Sequence, residues 1–197
     1  MGQAKRRSET YKKAKTELLQ KNSDGAYVVA KTAIKLFDDF IYPQRYTGGC
    51  YHITMILHRF LTFELGIPTQ PIVGYVNDGT DDLMISHAWL EYQGLKSDLT
   101  LFLPNPSYQQ PSGALLVLDQ ELLKGELSYS YHTEQTEAGR AQTEVMRLDP
   151  KIAPVLHRKE QEHQAMLECA ADADIMKEYL NAAPSEIGYD AISKLLR

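Results

Sequence analysis

The clearest periodicity in the chain runs from Ile53 to Leu65. Ile53, Ile56, Leu57, Phe60, Leu61 and Leu65 fall at i, i+3, i+4, i+7, i+8 and i+12. That spacing predicts a helix with one apolar, buried face. Gly66 supplies its stop and Pro68 follows. Cys50 sits in the first turn. Upstream, Val29, Ala33, Leu36, Phe37 and Phe40 predict another helix over 26–41, opened by Ser23-Asp24-Gly25 and ended at Pro43. Residues 5–21 read as a polar, Lys-rich helix.

The pattern then shifts to strands. Gln70–Val76, Leu83–Tyr92 and Leu95–Leu101 have strand character, the last two joined by a turn at Gln93-Gly94. That turn pairs Tyr92 with Leu95, Glu91 with Lys96, Leu90 with Ser97, Trp89 with Asp98 and His87 with Thr100. In this register Glu91 and Lys96 are an opposed ion pair. One face collects Ala88, Leu90, Tyr92, Leu95, Leu99 and Leu101. The other collects His87, Trp89, Glu91, Lys96, Asp98 and Thr100, and a one-residue slip would mix the sets. His87 and Asp98 become diagonal neighbours, within reach of each other's side chains. Pro104, Pro106 and Pro111 mark a long loop, Ala114–Leu118 reads as a further strand, and from about 133 the chain reads as helical with breaks at Pro150, Pro154 and Pro184.

Three segments follow: a basic helical arm (1–22), a core (23–120) and a mostly helical C-terminal extension (121–197). The class is α+β. The net charge of −5 is uneven, with residues 1–21 at +5, 22–100 at −4 and 101–197 at −6. A basic arm can touch an anionic surface, but an acidic body without interleaved aromatics argues against a nucleic-acid module. No apolar run approaches the ~18 residues that span a bilayer. The N-terminus has no apolar stretch after its basic residues, so it does not read as a secretory signal. The two cysteines, Cys50 and Cys169, are too few for a disulfide framework, which points to the reducing cytoplasm. No CxxC is present, and the paired histidines recur at six residues, a spacing that does not share a helix face, so no metal site is expected.

The chemistry lies in one constellation. A thiol acts as a thiolate, which a helix N-terminus and a neighbouring imidazolium both favour. Cys50 follows Gly48-Gly49 at a helix start, His87 stands on the hairpin, and Asp98 is placed to orient it. The Cys50 N–H is an oxyanion donor in this arrangement, with Gln44, Tyr46 and Tyr42 as candidates for the second. Cys169, in an Ala-rich helical stretch, reads as packing.

Gly49-Cys50, the helix to Gly66-Ile67-Pro68, Val73-Gly74-Tyr75-Val76, Ser86-His87-Ala88-Trp89-Leu90-Glu91-Tyr92 and Lys96–Thr100 together resemble the core of the transglutaminase-like cysteine enzyme superfamily, with its papain-like Cys-His-Asp order. The resemblance covers about a quarter of the chain. It implies a Cys-bearing helix packed on an antiparallel sheet, with Cys50 as nucleophile, His87 as general base and acid, and Asp98 as the orienting carboxylate. It puts an aromatic, Trp89, two residues after the histidine. Gln44 lies six residues before the thiol, a spacing also found in papain-like proteases, and with Tyr46, Gly49 and Trp89 it completes the expected oxyanion and substrate-binding set. Bacterial enzymes of this kind are often proteases or amidases, so hydrolysis of peptide or isopeptide bonds is expected. Amine acyl transfer, of the transglutaminase or arylamine-acetyltransferase type, and a non-catalytic binding protein on the same fold are the alternatives. The reading requires no cofactor, sets no oligomeric state, and makes the partner a peptide, protein or small amide.

Overall fold

The computed structural model describes residues 3–103 and 110–197, so most of the proline-marked loop lies outside the described residues. Mixed helix and antiparallel sheet form one continuous apolar core. The chain opens with α1 (Gln3–Lys21) and α2 (Asp24–Leu36), and a π-helical turn at Phe37–Ile41 leads into α3 (Tyr42–Gln44). Pro43 lies inside this last turn, and the helix ends one residue later, where Arg45 takes the left-handed conformation at φ 47°. The basic arm is docked: Leu18 is buried, Lys15 and Tyr11 both bond Asp38, and the Arg7 guanidinium lies over the Phe102 ring.

The long apolar stripe forms α4 (Cys50–Arg59), which continues into a π-helical turn at Phe60–Glu64. Ile53, Ile56, Leu57, Phe60 and Leu61 are buried as the spacing predicts. Leu65 is not, at 43% exposed. The π turn closes with Leu65 N–H bonding the Phe60 carbonyl, five residues back, which rotates the following residue off the stripe. Gly66, at φ +68°, then ends the helix in a conformation open to glycine.

The helix α4 packs on β1 (Gln70–Asn77) and β2 (Ile85–Tyr92). With β3 (Leu95–Ser97) and β6 (Ser130–His132) these make an antiparallel sheet in the order β3-β2-β1-β6. The β2–β3 register is the expected one: Tyr92 opposes Leu95, Glu91 opposes Lys96 and Leu90 opposes Ser97. Gln93 and Gly94 both have positive φ, 52° and 78°, the geometry of a tight type I′ hairpin.

Beyond Ser97 the hairpin departs from expectation. Asp98 leaves β2 and bridges Leu116, donating its N–H to the Leu116 carbonyl at 2.9 Å and accepting the Leu116 N–H at 3.0 Å. Leu116 belongs to β4 (Leu115–Val117), which pairs with β5 (Gln120–Leu123) through a turn whose residues Leu118 and Asp119 also have positive φ. The apolar-face assignment also fails at the tip, where Leu95 is 39% exposed beside the turn.

The rest is α5 (Glu137–Arg147), α6 (Ala153–Ala171), α7 (Ala173–Asn181) and α8 (Tyr189–Leu196). Pro154 opens α6 rather than breaking it, as suits a residue with no N–H to give the first turn. Met166, Cys169, Met176, Leu180, Ile192 and Leu196 join the same core cluster as α2 and α4, and β6 completes the sheet. The boundary drawn at 120/121 falls inside β5. No helix among the described residues is long and apolar enough to cross a membrane.

Gly74 on β1 fixes the sheet's packing. A Cβ there would lie 2.4 Å from the His132 carbonyl oxygen and 2.8 Å from the Trp89 ring. Gly74→Ala is therefore expected to pry β6 from β1 and lower unfolding free energy by ~1–3 kcal/mol, the usual range for overpacking. Denaturant titration of parent and variant measures it; unchanged stability would mean that β6 yields freely.

Candidate active site

The helix α4 brings Cys50 to the site at its first turn. Gly49, at its N-cap, supplies no side-chain cap, so the first N–H groups of α4 stay uncapped. The strand β2 brings His87, whose ring is buried, and Asp98 comes from the residue that bridges β4. The His87 Nε2 bonds the Asp98 Oδ2 at 2.7 Å. With Nε2 so committed, Nδ1 is the ring nitrogen left for the thiol. Cys50 and His87 line the same cleft, of about 510 Å³. Cys50 lies near enough to His87 to contribute, after the Asp98 carboxylate, to the rise of the imidazole's pKa. The bond to Asp98 is the one well-formed hydrogen bond of this ring among the described residues.

Among the described residues, Asp98 is the carboxylate with the most hydrogen bonds. Its Oδ1 accepts the Thr100 N–H at 2.9 Å, the Thr100 hydroxyl at 3.1 Å and the Leu101 N–H at 3.3 Å. Its Oδ2 accepts, besides His87, the Tyr131 hydroxyl at 2.9 Å. Burial alone would raise the Asp98 pKa, but the His87 charge and these donors hold it below the ordinary carboxylate value. Burial alone would likewise lower that of His87, and the Asp98 carboxylate, then Cys50, override it and hold the imidazole above its ordinary value. At neutral pH the pair is thus carboxylate and imidazolium.

The remaining expected site residues fare differently. Gln44 is exposed at the end of α3 and lines neither the cleft nor its smaller neighbour, so it is no oxyanion donor here. The left-handed turn at Arg45 directs the chain away after it. Tyr46 lies close to the thiol, but its hydroxyl is engaged by His52 Nδ1 at 2.9 Å. Its ring also fills the space beside Gly49, where a Cβ would lie 2.1 Å from it. Gly49 therefore admits a tyrosine ring on that side rather than substrate. Tyr42 is exposed, its ring tilted at 38° to that of Phe37 with centroids 5.7 Å apart. Trp89 does not line the cleft. It is buried against the Tyr131 ring at 5.2 Å, with its N–H donated to Glu91 at 2.9 Å, so it supports the tyrosine that supports Asp98. Cys169 is fully buried, and burial pushes its thiol up to about 11, as for a packing residue.

Several lining groups carry no sequence signal of their own. Tyr51, Ser86 and His163 form a hydrogen-bonded cluster at the cleft, and Tyr75 stacks on the His163 ring at 4.5 Å. Asp78, Asp81, Glu160 and Glu162 also line it. A smaller cavity of about 300 Å³ shares Gly48, Tyr51 and Glu162 with the cleft and is lined by His52 and Tyr179. His52 Nε2 is buried there without a partner among the described residues, and burial lowers that ring to about 4. No group of three His, Cys, Asp or Glu among the described residues is gathered to hold a metal ion.

No family model, curated protein or solved structure matches the chain. The geometry above therefore carries the functional argument alone.

The pKa directions predict a pH window for stability. A carboxylate lowered from 3.8 stabilises the fold above that value and loses the contribution as pH falls through its folded-state pKa. An imidazole raised from 6.5 stabilises below that value and loses it as pH rises through its folded-state pKa. Both contributions are present between about pH 4 and 6.5. Asp98→Asn should lower stability by ~3–5 kcal/mol there, since it leaves a buried imidazolium unpaired. Melts across pH should show the difference from parent narrowing above that window; a gap that stays constant to pH 10 would deny the ion pair.

Proposed function

We propose that the chain is a thiol-dependent acyl-transfer enzyme on a transglutaminase-like core, acting as a hydrolase of peptide or isopeptide amide bonds. What carries the reading is that Cys50 and His87 line one cleft while a buried carboxylate holds His87 from behind at 2.7 Å. The Cys50 thiolate attacks the acyl carbon, a C–S bond forms, and the carbonyl electron pair moves to oxygen, facing the uncapped N–H groups of α4. Collapse of that intermediate re-forms the carbonyl and breaks the C–N bond, and the leaving amine takes the proton from His87. Water then attacks the thioester and gives a proton back to His87, and the C–S bond breaks to release the carboxylic acid and the Cys50 thiolate that began the cycle. Asp98 keeps the ring oriented and stabilises its cation throughout.

Transfer to an amine in place of water is a second reading. Asp78, Asp81, Glu160 and Glu162 on the lining favour it, since their field concentrates a cationic acceptor.

The test uses p-nitrophenyl acetate and intact-protein mass. The parent should gain one acetyl group, on the Cys50 peptide, and Cys50→Ala none. His87→Ala should be acylated ~10²–10⁴-fold more slowly, the range for loss of a general base. Because His87 is buried, circular dichroism must show that each variant is folded. An adduct of equal yield in Cys50→Ala removes the nucleophile. Adding an alkylamine and recovering its acetamide would select transfer over hydrolysis.

A further inference from the structure

The sequence provides one oxyanion donor, the Cys50 N–H, and its candidates for a second are exposed or engaged elsewhere. The cleft holds another donor, assembled by the elements that place the catalytic pair. Tyr51 follows Cys50 on α4, and Ser86 precedes His87 on β2. Ser86 Oγ lies 2.5 Å from His163 Nδ1, and the Tyr51 hydroxyl bonds both Ser86 Oγ and, at 3.4 Å, the same nitrogen.

Two hydroxyl protons must be placed among these three atoms. If Tyr51 donates to Ser86 and Ser86 donates to Nδ1, both protons are used. The reverse order, with Nδ1–H donating to Ser86 and Ser86 to Tyr51, strands the tyrosine proton, because Tyr51 has no further acceptor among the described residues. The first order therefore fixes the tautomer, with Nδ1 accepting and Nε2 protonated. Burial lowers the His163 pKa, which keeps the ring neutral at pH 7. The residue is more than nine-tenths buried, Tyr75 stacks on its ring, and it lines the cleft. Its Nε2 bonds no group among the described residues.

We propose that the Nε2–H of His163, set by the Tyr51–Ser86 relay, donates to a carbonyl oxygen of the acyl substrate in the Cys50 cleft, as a substrate-positioning residue from the C-terminal extension. The inference rests on the acyl-transfer reading of that cleft, and its test separates the two.

N-acetylglycine p-nitrophenyl ester presents two carbonyl oxygens, whereas 4,4′-dithiodipyridine reacts with the Cys50 sulfur and presents none. Both rates are followed at the Cys50 peptide by mass. His163→Phe should slow acylation by the ester about tenfold, the effect of one lost hydrogen bond of ~1.5 kcal/mol, and leave the disulfide exchange and its pH profile unchanged. His163→Gln, whose amide N–H takes the place of Nε2–H, should recover most of the rate. Ester acylation at the parent rate in His163→Phe overturns the proposal, and so does equal slowing of both reagents, which marks a packing role. If the parent thiol is inert to both reagents, the acyl-transfer reading falls, and ring nitrogen NMR of the parent decides the inference alone. Protonated Nε2 that shifts on adding butyramide supports it; protonated Nδ1, or no shift, overturns it.

Discussion

The buried bond between His87 and Asp98 is the constraint on which the rest of the structure depends. A carboxylate cannot remain charged in an apolar interior without donors, and Asp98 collects five, from the imidazole, two backbone N–H groups, a threonine hydroxyl and a tyrosine hydroxyl. Each donor comes from a place the fold must hold still. The backbone N–H groups require the chain to turn immediately after Asp98, and that turn is why the second hairpin strand stops at Ser97. The bridge to Leu116 then anchors the departing segment. The short β3 is therefore the condition for satisfying a buried charge, and a longer hairpin would have left Asp98 with fewer partners.

The C-terminal segment completes this arrangement. Tyr131 on β6 reaches back to Asp98, and Trp89, pressed between it and Gly74, keeps it there. From the other side, α6 lays His163 against Ser86 and Tyr51. A segment carrying no recognisable motif thus supplies one support for the buried Asp98 carboxylate and one wall of the cleft. Truncation near residue 120 would remove both and open a core that α6, α7 and α8 help to close.

What was legible in the sequence was local and periodic. The α4 stripe, the glycine stop at Gly66 and the Gln93-Gly94 hairpin are each written within a dozen residues, and side-chain spacing alone determines them. The nearness of His87 and Asp98 was legible only in part: the turn sets the register as far as Ser97, but Asp98 then bridges Leu116 instead of opposing Trp89. The partners of Asp98 were not, because Thr100, Tyr131 and Leu116 are chosen by a chain reversal and by strands too short to show alternation. The π turns at Phe37–Ile41 and Phe60–Glu64 also escaped, since one extra residue in a turn leaves the apolar count unchanged and is felt only at the next position, as at Leu65. Gln44 and Trp89 were misplaced because a sequence spacing carries no direction. In the folded chain one side chain is aimed at solvent and the other at a tyrosine.

Adjacent residues of β2 take different partners while lining one cleft. Ser86 turns toward α6 and His87 toward Asp98, as strand alternation demands. The His163 wall of the cleft and the His87–Asp98 pair are therefore tied to one register. A slip of a single residue would exchange them, placing a hydroxyl against the carboxylate and an imidazole against Tyr51. The type I′ turn at Gln93-Gly94 and the close contact at Gly74 are the devices that oppose such a slip, one at each flank of β2. This coupling gives the two kinds of damage different signatures. A change on α6 alters one wall and leaves the thiol's partner in place, whereas a change that moves β2 removes the imidazole and the wall together.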